Sequence, residues 1–157
     1  MSERESDTGN RELVFERVFE APRATVWSVW TEVEHLVNWW GPDGFRTTYY
    51  EMDVRPGGVA RFVMHGPDGR DYPNKMWFLE VRQPERLVFD HGDFERPWFQ
   101  VTVNFEELGD KTRVVSRMLF GTPEECEATK KSGAVEGGRQ THERLARYLK
   151  ETLLLTI

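Results

Sequence analysis

From Phe45 to Phe120 apolar and polar residues alternate in about six short runs. The breaks are Arg55-Pro56-Gly57-Gly58, Gly66-Pro67-Asp68-Gly69, Gln83-Pro84-Glu85 and Leu108-Gly109-Asp110-Lys111. A period of two puts successive side chains on opposite faces of a sheet, and breaks this short turn the chain straight back. The pattern predicts an antiparallel meander. One face reads as apolar: Ala60, Phe62 and Met64, then Leu87, Phe89 and His91, then Val101, Val103 and Phe105, then Val114, Ser116, Met118 and Phe120. The opposite positions hold Arg61, Asp90, Gln100, Asn104, Arg113 and Arg117. A sheet with one apolar face must be covered on that face.

The flanks supply the cover. Arg11 to Glu20 alternates and adds a seventh strand. Pro22 suits a first helical position, and Val26, Val29 and Trp30 follow at helical spacing. Thr31 with Glu34 has the form of a capping box, which predicts a second short helix running to Trp40. Gly41-Pro42 stops that helix. Thr122-Pro123-Glu124-Glu125 opens a later helix, and Gly133 interrupts it. Ala134 to about Leu154 reads as a long helix whose inner stripe holds Gly138, Thr141 or His142, Leu145 and Leu149. Gly137-Gly138 weakens its first turns, so the pair predicts a close approach by a backbone or a ligand.

A chain of 157 residues fits one domain, expected over 11–157 behind a polar tail, 1–10, that has no signal or anchor character. A net charge of -6 argues against nucleic acid as a partner. No apolar run reaches membrane-spanning length, so no membrane insertion is expected. The single cysteine, Cys126, excludes an internal disulfide framework and points to a reducing compartment, the cytoplasm by default. Ten Phe, six Trp and four Tyr supply large rings to bury and to line a concave pocket.

Candidate chemistry is sparse. The four histidines, His35, His65, His91 and His142, lack metal-ligand spacing, so neither a metal nor a cofactor is expected. There is no phosphate-binding loop and no nucleophile elbow. Asp53 and Arg55 read as a turn-stabilising network. Trp39 and Trp40 sit at a helix exit, where they either plug the core or line the mouth of a cavity. Glu80 shares its alternation with Phe78 and so reads as inward, unless its carboxylate reaches the rim or pairs with an Arg. A carboxylate in an apolar cavity has a raised pKa and can serve as acid or base. His142 shares a stripe with Leu145, and a buried imidazole needs a partner, for which Glu80, Ser116 or water are candidates. The expected ligand-lining set is Trp39, Trp40, Phe62, Met64, Phe78, Glu80 and Phe89, with His91, Ser116, Met118, Gly138, His142 and Leu145.

The element order resembles the helix-grip, START-like fold of the SRPBCC superfamily. Several motifs point further: Ala21-Pro22, Val26-Trp27, Trp39-Trp40-Gly41-Pro42, Asp53-Val54-Arg55-Pro56-Gly57-Gly58, Gly66-Pro67-Asp68-Gly69, Pro84-Glu85-Arg86-Leu87 and Val135-Glu136-Gly137-Gly138. Together they resemble the bacterial relatives of the activator of 90-kDa heat-shock protein ATPase, over about Leu13 to Leu149. The resemblance implies an α+β fold in which a curved antiparallel sheet of about seven strands wraps a long C-terminal helix. Two short helices would follow strand 1, and a cavity would lie between sheet and helix. It also implies that His142 stands where the family commonly has Leu. The superfamily hosts lipid carriers, polyketide cyclases, hormone receptors and co-chaperones, so fold alone does not choose a function. The expected function is binding of a hydrophobic or aromatic small molecule. One alternative is a cyclase- or hydrolase-like enzyme using Glu80 and His142. Another is a co-chaperone, whose chaperone partner is implied by the family name alone. Edge strands and the Trp-rich helices offer the means for a homodimer.

Overall fold

The computed structural model describes residues 10–153. The expected tail, apart from Asn10, and the last residues from Leu154 onward lie outside that range.

Seven strands form one sheet: β1 (Glu12–Phe19), β2 (Arg46–Met52), β3 (Val59–His65), β4 (Asp71–Arg82), β5 (Arg86–Gly92), β6 (Pro97–Leu108) and β7 (Lys111–Phe120). Their order is β1-β7-β6-β5-β4-β3-β2, and all pairings are antiparallel. From β2 to β7 each strand pairs with its chain neighbour, as short turns require. β1 instead pairs with β7, so β1 and β2 are opposite edges of the sheet. Helices α1 (Arg23–Thr31) and α2 (Val33–Leu36) carry the chain from one edge to the other.

α1 follows Pro22, which is extended, and buries Val26, Trp27, Val29 and Trp30. The expected capping box does not form. Thr31 ends α1, and its hydroxyl donates back to the Trp27 carbonyl at 2.8 Å, leaving extended Glu32 to precede α2 without a side-chain cap. The second helix therefore stops at Leu36 rather than Trp40. Trp39 and Trp40 are still tied to it, since both backbone N–H groups reach the Leu36 carbonyl. Gly41 then takes φ +102°, a conformation that only glycine adopts at little cost.

On the other side of the meander, α3 (Pro123–Thr129) begins as expected, with the Thr122 hydroxyl accepting from the Glu125 amide at 3.1 Å. Gly133, at φ 95°, breaks the link between α3 and α4 (Val135–Tyr148). The α4 stripe of His142 and Leu145 is buried, as is Leu149 beyond it.

Ala60, Phe62, Phe89, Val103, Val114, Leu145 and Leu149 are all buried in one core with Trp30 and Trp39. A smaller cluster of Leu13, Phe120 and Cys126 closes the end near α3. One strand departs from simple alternation. Between β4 and β5, Phe78 faces Phe89 but Glu80 faces Val88, so Leu79 is an extra residue in β4. This β-bulge reverses the facing of everything after it. Val81 packs inward, and Glu80 turns to the polar face, where it pairs with Arg82 at 2.7 Å and Arg86 at 3.3 Å. Glu80 is thus not a cavity group. No helix among the described residues is long and apolar enough to cross a membrane.

Candidate functional site

Between the apolar face of the sheet and α4 lies a cavity of about 360 Å³. β1 contributes Phe15, α1 Trp30, β3 Met64, β5 Phe89 and His91, β6 Phe99 and Val101, and β7 Ser116 and Met118. The loop after α2 adds Trp40, Gly41 and Pro42, and α4 adds Gly137, Gly138, Thr141 and His142. Ser132, Gly133 and Ala134 complete the lining; Ser132 and Gly133 are exposed, which puts the mouth at the α3–α4 link. Among the described residues no Asp, Glu, Lys or Arg lines it. A wider groove of about 580 Å³ runs beside β1, but charged side chains make up much of its lining, among them the pairs Arg17–Glu143 and Lys111–Glu20. The apolar cavity is the better container for a small molecule.

The two adjacent tryptophans divide the two expected roles. Trp39 is fully buried, and its Nε1–H donates to the Val29 carbonyl at 3.1 Å, so it plugs the core. Trp40 walls the cavity. Arg144 of α4 fixes this loop. Its Nη1 donates to the carbonyls of Gly41 at 2.7 Å, Pro42 at 2.9 Å and Trp40 at 3.4 Å. A guanidinium donating to loop carbonyls satisfies acceptors that no helix or strand pairs, and a charged donor makes the stronger kind of hydrogen bond. It joins the Trp40 wall to the helix that covers the sheet.

The histidines differ. His142 lies edge-on to Phe15 and Phe19, with ring centroids 5.7 and 6.0 Å away. Among the described residues it has no hydrogen bond to Ser116, and Glu80, the other expected partner, is on the far face. Burial, with the nearby Arg17 charge adding to it, lowers the His142 pKa to about 4. The ring is neutral at neutral pH. His91 is also neutral, with burial lowering its pKa to about 4. Unlike His142 it is anchored: its Nε2 lies 2.7 Å from Asn74 Oδ1.

The Gly137-Gly138 pair also has a cause. The Phe15 ring fills the space where a Cβ of Gly138 would stand. The close approach at Gly138 is by a side chain rather than a backbone, and both glycines also line the cavity.

Of the expected lining set, Trp40, Met64, Phe89, His91, Ser116, Met118, Gly138 and His142 surround the cavity. Trp39, Phe62, Phe78, Glu80 and Leu145 do not. Phe62 buttresses Trp40 from behind, at 6.1 Å between centroids. Phe78 lines a separate void of about 20 Å³ beside Met52 and Met76. Leu145 is fully buried in the core. Phe15, Trp30, Phe99, Val101 and Thr141 were not anticipated. The alternation carried a signal for Phe15, two residues from Arg17 and four from Phe19, and for Phe99 and Val101, in phase with Val103.

A family model described as "Activator of Hsp90 ATPase homolog 1-like protein" matches residues 20–150. The chain belongs to this family. Solved structures agree with that membership. A Nitrosomonas europaea protein is 28% identical, with a TM-score of 0.82 over 90% of this chain and 96% of that one. A Mycobacterium smegmatis protein is 26% identical, with a TM-score of 0.84 over 93% and 95% of the two chains. An Arthrobacter aurescens protein is 28% identical, with a TM-score of 0.85 over 92% and 89%. No curated protein matches the chain. The family's helix-grip fold is one that holds hydrophobic ligands between sheet and helix, which is where this chain has its apolar cavity.

Proposed function

We propose that this protein binds a hydrophobic or aromatic small molecule in the cavity between the sheet and α4. One observation carries the reading: about 360 Å³ of space walled by the rings of Phe15, Trp30, Trp40, Phe89 and Phe99, with no Asp, Glu, Lys or Arg among the described lining residues. Space of that size suits a guest of one to three fused or linked rings, and such a guest gains by leaving water. Met64 and Met118 give the walls some adaptability.

The enzyme alternative loses the pair it was built on, because Glu80 and His142 lie on opposite faces of the sheet. The chaperone-partner reading rests on the family description alone. Pairing of two copies through edge strand β1 or β2 is a further proposal, tested by sedimentation at micromolar concentration. A cytoplasmic location belongs to the same reading on the strength of the single cysteine.

The binding reading is tested by titrating the protein with N-phenyl-1-naphthylamine, a neutral two-ring-system probe. Tryptophan emission should be quenched at one probe per chain, and Trp40→Ala should lose most of that response. An interior that takes up no probe would remove the reading.

A further inference from the structure

We propose that the cavity selects an uncharged ring-sized guest bearing an O–H or N–H donor, which it receives at Nδ1 of His91. This deepens the binding reading above and rests on it.

The argument begins at Asn74, on the strand beside His91. Asn74 Nδ2 donates to the Tyr72 carbonyl at 2.9 Å, which fixes the amide and leaves Oδ1 as its acceptor. Oδ1 can therefore take only a proton donor, so the nitrogen 2.7 Å away, His91 Nε2, carries the hydrogen. A neutral imidazole has one N–H and one lone pair. With the N–H committed to Asn74, the lone pair is on Nδ1. Asn74 is not a lining residue whereas His91 is, so the committed nitrogen is turned to the sheet. Nδ1 has no hydrogen bond among the described residues. The aromatic neighbours Phe62, Phe89, Phe99 and Trp98 hold the ring on several sides, with centroids 5.2 to 6.4 Å away.

The other polar groups of the wall do not compete on equal terms. Thr141 and Ser132 already donate to the carbonyls of Gly137 and Thr129. Among the described residues, none hydrogen-bonds the Ser116 hydroxyl and none fixes the tautomer of His142. The Thr141 and Ser132 hydroxyl oxygens keep lone pairs, but among the described lining residues His91 has the one ring nitrogen whose lone pair is fixed by a hydrogen bond within the protein. A guest that gives a hydrogen bond to Nδ1 therefore suits the site better than a pure hydrocarbon. A carboxylate would meet no Lys or Arg among the described lining residues, and a charge without a counter-ion in an apolar cavity is strongly disfavoured.

The test is calorimetric titration at pH 7 with three matched probes: 2-naphthol, 2-methoxynaphthalene and 2-naphthoate. The ether keeps the rings and loses the donor; the acid adds charge. We expect 2-naphthol to bind about three- to tenfold more tightly than the ether, the ordinary worth of one hydrogen bond. Naphthoate should bind at least about a hundredfold more weakly than naphthol. His91→Phe should abolish the naphthol–ether difference while both still bind, and Asn74→Leu, which frees the tautomer, should shrink it. Independently of any variant, the Nδ1 resonance of His91 in ¹⁵N-labelled wild type should read as unprotonated and shift with naphthol but not with the ether. Equal binding of naphthol and ether, naphthoate binding as well as naphthol, or a protonated Nδ1 would each overturn this inference and leave cavity binding intact. Failure of all three probes to bind would overturn the binding reading itself.

Discussion

The ring of Phe15 lies where a side chain of Gly138 would begin, so strand β1 and helix α4 meet in ring-on-backbone contact at the cavity wall. Only a residue without Cβ permits that contact. Helix propensity has been given up here to let an aromatic ring stand between helix and cavity, because glycine costs a helix interior about 1 kcal/mol relative to alanine.

Gly138→Ala should therefore act on the cavity more than on stability. The added methyl strengthens the helix by up to about 1 kcal/mol and displaces the Phe15 ring, whose open neighbouring space is the cavity. Unfolding free energy should change by less than about 1 kcal/mol, while affinity for N-phenyl-1-naphthylamine falls clearly. In a Phe15→Ala background the same change should be stabilising and leave affinity untouched. A double-mutant cycle with no coupling would show that the ring and the glycine do not compete for this space.

The core predicts larger losses. Phe62 and Leu145 are both fully buried, in a cluster that joins sheet, α1 and α4. Truncating either to Ala should cost about 2–5 kcal/mol in urea unfolding, from lost burial and the void left behind. A loss below about 1 kcal/mol at both positions would contradict the packing described.

Arg144→Ala removes one nitrogen that serves three carbonyls of the loop bearing Trp40. A charged donor contributes about 1.5–3 kcal/mol to a hydrogen bond, and these are partly buried. Because the contact pins a cavity wall to α4, the variant should lose stability in that range and should also weaken probe binding. Faster amide exchange in the 40–45 segment would locate the effect. Unchanged exchange there would detach Arg144 from the wall.

Acid should destabilise the fold through its two buried imidazoles. Folding lowers the pKa of His91 and His142 from 6.5 to about 4. Across that interval the unfolded chain binds more protons than the folded one, so stability rises with pH between about 4 and 6.5 and is fully present above it. Acidification through the window should remove on the order of 1–3 kcal/mol per histidine. His142→Leu removes one share, so its melting profile should be flatter below neutrality and its stability at acidic pH higher than wild type. An identical slope in wild type and variant would mean that His142 is not desolvated as the structure shows.

The sheet order and the covering helix were legible because period-two and helical patterns are written in residue type, and short Gly- and Pro-rich breaks force neighbour pairing. What misled was geometry that leaves little trace in sequence. Glu80 follows Phe78 by two, and nothing in Phe78-Leu79-Glu80 announces an extra residue, yet the bulge turns the carboxylate to the polar face. Thr31 and Glu34 have the right types and spacing for a capping box, but the Thr31 hydroxyl bonds back to its own helix. At the cavity, Met64, Phe89, His91, Ser116 and Met118 were visible as strand alternation, and Gly138 and His142 as a helical stripe. The depth at which a side chain stops was not. Trp39 and Trp40 are chemically equal, and only the three-dimensional path of the loop sends one into the core and the other to the cavity. The orientation of His91 depends on Asn74, seventeen residues away in the chain, and only strand pairing brings the two together.

The methionines give the most direct test that the cavity takes up an apolar guest. Met64 and Met118 line it, whereas Met52 and Met76 border the separate small void. With ¹³C-methyl-labelled methionine, titration with N-phenyl-1-naphthylamine should move the Met64 and Met118 signals most and saturate at one probe per chain. Signals that stay in place, or that move most at Met52 and Met76, would contradict binding in this cavity.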